Sequence, residues 1–113
     1  MDRISICELA EWQAAGRRFM LIDVRREAAR AADGAEIAGS QWRRPEDLFG
    51  WKDDIARDRP AVLVCAQGHE LSQGAAATLR AMGLDARYLI DGFAGWRAAG
   101  GPVQPLSATE SAR

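Results

Sequence analysis

The residues most able to do chemistry sit together in Cys65-Ala66-Gln67-Gly68-His69-Glu70, directly after the apolar run Ala61-Val62-Leu63-Val64. The run reads as a buried strand, and a helix is expected from Leu71. A loop entering a helix aims several backbone N–H groups at one point, and the helix dipole adds positive potential there. A cysteine at the head of such a loop has its thiolate, the reactive form, favoured by those donors. Gly68 lets the backbone curl so that the amides converge. Free cysteine is also among the most buried residue types, so Cys65 has a second reading as the mere end of a strand. His69, the one histidine, either hydrogen-bonds a substrate or partners a thiolate near neutral pH, or else points outward and shapes the entrance. Glu70 either repels anions at the rim or is silenced by an arginine. Ser72 reads as an N-cap or first-turn residue whose hydroxyl has the option of facing the sulfur.

The elements that must hold this loop follow from the pattern on either side. Ser5 followed by Glu8, with Ile4 and Leu9 flanking, is a helix start with capping box and hydrophobic staple. That helix is expected to run to about Ala15, bury Leu9 and Trp12, and stop at Gly16. Phe19-Met20-Leu21-Ile22, ending at Asp23, reads as a strand covered on both faces. Residues 25–36 suit a short helix or turn, and Ile37 to Ser40 a brief strand. Pro45 opens a second helix with Leu48, Trp51 and Ile55 on its apolar face. After the cysteine loop, Leu71, Ala75, Leu79 and Met82 share a helical face that stops at Gly83. Ala86 to Ile90 reads as a strand, Asp91-Gly92 as a turn, and a short helix carrying Trp96 follows. Strands alternating with helices predict an α/β domain with a mainly parallel sheet, whose ligands bind beyond the carboxyl ends of the strands.

Composition narrows the function classes. The chain has 113 residues, 48% of them hydrophobic and 27% charged, so it can build one domain core and is not wholly disordered. Fifteen basic and sixteen acidic side chains give a net charge of −1, which supplies no field for nucleic acid or an anionic membrane. Trp12, Trp42, Trp51 and Trp96 lie at helical spacings without a basic stripe, which favours core packing over base stacking. Cys7 and Cys65 form no Cys-x-x-Cys pair, and with a single histidine no metal-ligand spacing exists, so no metal and no cofactor are expected. Cys7 reads as a bystander. No apolar run spans a membrane and the N-terminus lacks a secretory signal, so a cytoplasmic monomer is expected.

At this point the sequence resembles a known family. Leu21-Ile22-Asp23-Val24-Arg25, Ile37-Ala38-Gly39-Ser40, Val64-Cys65-Ala66-Gln67-Gly68 and the stretch Gly92-Phe93-Ala94-Gly95-Trp96-Arg97-Ala98-Ala99-Gly100-Gly101-Pro102-Val103 look like successive landmarks of a single-domain rhodanese. The resemblance covers residues 4–103 and implies a rhodanese-like α/β fold, a parallel sheet of about five strands flanked by helices. A domain over residues 1–103 is expected, and residues 104–113, with their Ser, Thr and Ala, read as a flexible tail.

The resemblance also implies a chemistry. Cys65 takes a sulfane sulfur from thiosulfate or a persulfide donor, holds it as a persulfide, and passes it to cyanide or a thiol, a protein thiol included. Residues Ala66, Gln67, Gly68, His69, Glu70 and Leu71 supply the cradle, with Asp23, Arg25 and Ser72 in support. Asp23 reads best as a turn or ion-pair residue, and Arg25-Arg26 and Arg43-Arg44 either border the mouth or are solvated faces. Two departures stand out. Glu70 occupies the place where many members carry an anion-holding arginine, and the loop counts one residue longer than usual. The longer loop is similar to that of rhodanese-related phosphatases and arsenate reductases, but those need an arginine at the loop's end and Leu71 stands there. A non-catalytic rhodanese module for partner binding or redox sensing is the main alternative.

Overall fold

The structure, a computed structural model, describes residues 2–106. In order, it forms β1 (Arg3–Ile4), α1 (Ile6–Ala14), β2 (Met20–Asp23), α2 (Glu27–Asp33), β3 (Ala35–Ile37), β4 (Gln41–Trp42), α3 (Leu48–Trp51), β5 (Ala61–Val64), α4 (Glu70–Ala81), β6 (Ala86–Leu89), α5 (Gly92–Ala98) and β7 (Val103–Pro105). Five strands make one parallel sheet in the order β1-β6-β5-β2-β4. This is the expected α/β architecture. β3 and β7 pair antiparallel as a separate two-stranded ribbon.

The sheet's centre is where the apolar runs lie. Every residue of β5 is buried, between β2 and β6. Side chains alternate along a strand, so Ala61, Leu63 and Cys65 face one core and Val62 and Val64 the other. On the first side α3 and α4 contribute Leu48, Trp51, Ala75, Ala76 and Leu79. On the second, Leu9 of α1 and Phe93 and Trp96 of α5 close the layer. A buried aliphatic side chain of this kind contributes roughly 1.5–3 kcal/mol. Two-sided covering of β5 therefore makes it the rigid element from which the cysteine loop departs.

The helix starts and stops follow local chemistry. Ser5 Oγ accepts from Glu8 N at 3.1 Å and Glu8 Oε1 from Ser5 N at 3.0 Å, completing the capping box. The helix expected from Pro45 is instead a 3₁₀ turn (Pro45–Asp47), the single turn α3 and a second 3₁₀ turn (Lys52–Asp54). Gly50 and the aspartates at 47, 53 and 54 are poor helix formers, and the Trp51 indole N–H donates to Arg44 O at 2.8 Å. The anchors Leu48, Trp51 and Ile55 are nonetheless all buried. Trp12 is half-buried, with the Arg17 guanidinium stacked 3.9 Å from its ring.

The tail boundary needs correction. Gln104 and Pro105 belong to β7, and Gln104 Nε2 donates to Glu36 Oε2 at 2.7 Å. Residues 107–113 of the expected tail lie outside the described residues. The strand expected at Ile37–Ser40 begins and ends earlier, at Ala35–Ile37, because Ala38–Ser40 turn into β4. Among the described residues no helix is long and apolar enough to cross a membrane.

Candidate active site at the end of the central strand

Cys65 follows the last residue of β5, and α4 begins at Glu70, so the loop is the strand-to-helix connection the sequence predicts. Two glycines let it pack down. Gly68 has φ +73°, and a Cβ there would lie 2.7 Å from Asp91 N. Gly92, at φ +58°, meets the loop from below, and a Cβ on it would overlap the Cys65 carbonyl oxygen. The close approach is used: Phe93 N donates to Cys65 O and Ala94 N to Ala66 O, both at 2.9 Å. Gln73 fixes the far side, its Nε2 donating to Gly68 O at 2.9 Å and its N to His69 O at 3.0 Å. The loop's carbonyls are thus engaged below, while none of the amides of residues 66–71 meets an acceptor among the described residues. These amides lead into the start of a twelve-residue helix, whose first N–H groups and dipole favour an anion there.

Cys65 is 4% exposed, and its Sγ lies 3.0 Å from Ser72 Oγ. Ser72 is fully buried in the first turn of α4. Its hydroxyl therefore faces the sulfur, and the N-cap position belongs to His69 instead. Above the sulfur is an open mouth of about 330 Å³ lined by Cys65, Ala66, Gln67, His69, Glu70, Leu71 and Arg26. His69 and Glu70 are exposed on its rim. Glu70 has no ion-pair partner among the described residues, so no arginine there silences it and the anion-repelling reading is the one the geometry favours.

Arg25 and Arg26 part company here. Arg25 is fully buried, with Nε and Nη2 on the Asp23 carboxylate at 2.8–3.1 Å, Nη1 on Asp33 at 3.0 Å and Nη2 also on Ala35 O at 2.8 Å. Its guanidinium stacks 4.1 Å from the Phe93 ring, the residue whose N–H holds Cys65 O. Asp23 and Arg25 thus brace the floor of the loop without reaching the mouth. Arg26, 68% exposed, is the cation that lines the mouth. Arg44 pairs with Glu27 at 3.0 Å, away from the cysteine's lining. Cys7 is exposed on α1, whose Leu9 packs on the opposite face of the sheet from Cys65. Among the described residues no group of three potential metal ligands occurs.

A family profile described as Rhodanese-like domain matches residues 5–99, most of the chain. The chain belongs to the rhodanese-like family. Its sequence is 35% identical over 92 residues to the probable adenylyltransferase/sulfurtransferase MoeZ of Mycobacterium tuberculosis, covering 79% of this chain and 23% of that protein. The chain thus spans about a quarter of the length of that curated relative. Among solved structures, a rhodanese-related protein from Thermoplasma volcanium superposes with a TM-score of 0.79 at 25% identity, covering 92% of this chain and 98% of the other. A Rhodopseudomonas palustris protein of unknown function, described as a possible tyrosine phosphatase, gives 0.80 at 27% identity over 92% and 85%. A rhodanese-like domain protein from Staphylococcus aureus gives 0.80 at 21% over 95% and 100%, a likeness of fold.

Within this rhodanese-like domain, sequence reasoning found the cysteine, its loop and the Asp23–Arg25 pair. It did not single out the roles of Phe93, Ala94 and Gln73, which donate to the loop's carbonyls, or of Gly92, whose missing Cβ leaves the room for that approach. The signal lay in Asp91-Gly92-Phe93: the two consecutive left-handed residues that begin α5 are where a backbone meets another at close range.

Proposed function

We propose that this rhodanese-like domain is a sulfurtransferase that carries a sulfane sulfur as a persulfide on Cys65. The observation that carries the reading is the buried Sγ, 3.0 Å from the Ser72 hydroxyl, at the head of a loop whose amides meet no acceptor among the described residues and which runs into the start of α4. In the first step the Cys65 thiolate attacks the sulfane sulfur of the donor. With thiosulfate, the donor S–S bond breaks and its electron pair leaves with sulfite. Charge then rests on the outer sulfur of the persulfide, where cradle N–H groups and the Ser72 hydroxyl donate to it. In the second step cyanide or a thiolate attacks that outer sulfur, and Cys65 departs as the thiolate, so no external oxidant or reductant is consumed.

Arg26 is the mouth's cation for an anionic donor and Glu70 opposes it, so thiosulfate is a usable but weakened donor and a persulfide a better one. Glu70 and Leu71 stand where phosphoryl transfer needs a cation, which favours sulfur over phosphorus chemistry. The reading places the domain as a monomer in the cytoplasm, on small sulfur donors and thiol or cyanide acceptors, without nucleic acid, membrane or cofactor. A cyanide assay tests it. Thiocyanate should form from thiosulfate or polysulfide and fall to background in Cys65→Ser. A folded wild-type protein that yields none with either donor leaves the binding-module alternative.

A further inference from the structure

The cysteine mouth does not end at Leu71. Leu71 and Glu70 also line a second groove, of about 340 Å³, that continues along α4 past Leu48 and Ala75 to Phe49. Phe49 is 70% exposed, the more exposed of the two large apolar side chains that stand out from the described surface. A single exposed phenyl ring is ordinary, but this one is continuous with an apolar groove lined by Leu48, Leu71 and Ala75. The charged residues of this second groove are both carboxylates, Glu46 and Glu70, while the cation Arg26 lines only the cysteine mouth. Arg26 and Arg44 each form a long ion pair with Glu46 at 4.0 Å, and Glu70 has no ion-pair partner among the described residues, so Glu70 is the main charge for a basic side chain to meet. Beyond Phe49 the surface stays acidic at Asp47. A small dianion has no use for this combination, whereas a larger acceptor with a cation beside an apolar side chain matches it at each point.

We propose that the groove from Cys65 over Leu71 to Phe49 docks a cationic protein segment whose cysteine thiol receives the sulfur. The inference rests on the persulfide reading and names its acceptor. The segment's apolar side chain packs on Phe49 and Leu71, and its basic side chain meets Glu70 and Glu46. Its thiolate then attacks the outer sulfur of the Cys65 persulfide. A bond forms between the segment's sulfur and that outer sulfur, the S–S bond to Cys65 breaks, and its electron pair leaves with Cys65. The proton released by the segment's thiol ends on Cys65, so a thiol and a persulfide become a persulfide and a thiol.

The test uses the full chain loaded at Cys65 with inorganic polysulfide. Sulfur release is timed to 2-mercaptoethanol, to a short peptide with one cysteine flanked by Arg and Leu, and to the same peptide with Glu in place of Arg. Each peptide rate is divided by its rate with free polysulfide, which removes differences in thiol acidity. The Arg peptide should outpace the Glu peptide by about tenfold at low salt. At about 0.5 M salt, where the screening length shrinks to a few ångströms, the ratio should fall below about threefold. Phe49→Ser, at an exposed position, should slow transfer to the Arg peptide about tenfold and leave 2-mercaptoethanol unchanged. Equal rates on the two peptides, or an Arg-peptide rate unchanged in Phe49→Ser, would overturn the docking groove while leaving transfer to 2-mercaptoethanol intact. A folded protein that takes up no sulfur overturns the persulfide reading itself.

Discussion

Arg25 and Arg26 are neighbours in the chain and occupy opposite environments. Arg25 is fully buried, shared between Asp23, Asp33 and a backbone carbonyl and stacked on Phe93. Arg26 stands in water at the cysteine mouth, 4.0 Å from Glu46. The buried cluster beneath the loop also holds Arg30 on Glu36 at 2.7 Å and Gln104 on the same carboxylate. Its charges are desolvated, so each depends on its partners and the geometry is over-determined. The mouth has charges of both signs and few fixed partners, so it contributes potential without contributing stability. The floor sets where the sulfur sits, and the rim sets what it accepts.

The sharpest way to break this division is to remove the two arginines in turn. Arg25→Ala should destabilise the fold by about 3–5 kcal/mol in denaturant unfolding, because buried Asp23 loses its bidentate partner and keeps, among the described residues, only Arg30 Nε at 4.0 Å and one backbone N–H. Arg26→Gln should stay within about 0.5 kcal/mol of wild type. If the two variants unfold alike, the floor and the rim are not distinct.

The rim then sharpens on its own axis. Arg26→Gln should lower kcat/KM for thiosulfate about tenfold, and Glu70→Arg should raise it about tenfold, each through about 1.4 kcal/mol of transition-state stabilisation. Both changes should appear mainly in KM and shrink at high salt. Thiosulfate kinetics of the two variants check this, and equal kinetics in all three proteins would remove the rim from specificity. Ser72→Ala lies between floor and rim. Losing one hydrogen bond to an anionic sulfur should cost about fivefold in turnover, with little change in KM.

The smallest effect comes from an exposed charge outside both regions. Glu8 is held below its ordinary carboxylate range first by the Ser5 backbone N–H and then by the Ser5 hydroxyl. Its lowered value means the contribution is present above about pH 4.5, the ordinary value, and fades as pH falls through the folded one. Glu8→Gln should therefore lose a little stability at pH 7 and progressively less as the pH is lowered below about 4.5, by thermal unfolding across that range, with sulfur transfer unchanged.

Much of the floor was legible in the sequence, and little of the rim. Ala61–Val64 is apolar at every position because both of its faces are covered, so strand, cysteine and following helix could be placed together. Asp23 and Arg25 sit in a recognisable motif. β1 and β4 have two residues each and β7 three, too few to show a period, so edge strands and the extent of the chain's end were not readable. Two consecutive arginines carry no mark of which turns inward, since that depends on Phe93, nearly seventy residues away. The Ser72 contact was open for a similar reason: helical register places position 72 against Cys65 only once α4 is known to start at Glu70.

The most direct test of the central claim is intact-mass analysis of the folded protein after thiosulfate or polysulfide. The account predicts a gain of one sulfur atom, absent in Cys65→Ser, retained in Cys7→Ser and discharged by cyanide. An adduct that persists in Cys65→Ser, or a folded wild-type protein that gains no sulfur from either donor, would contradict it.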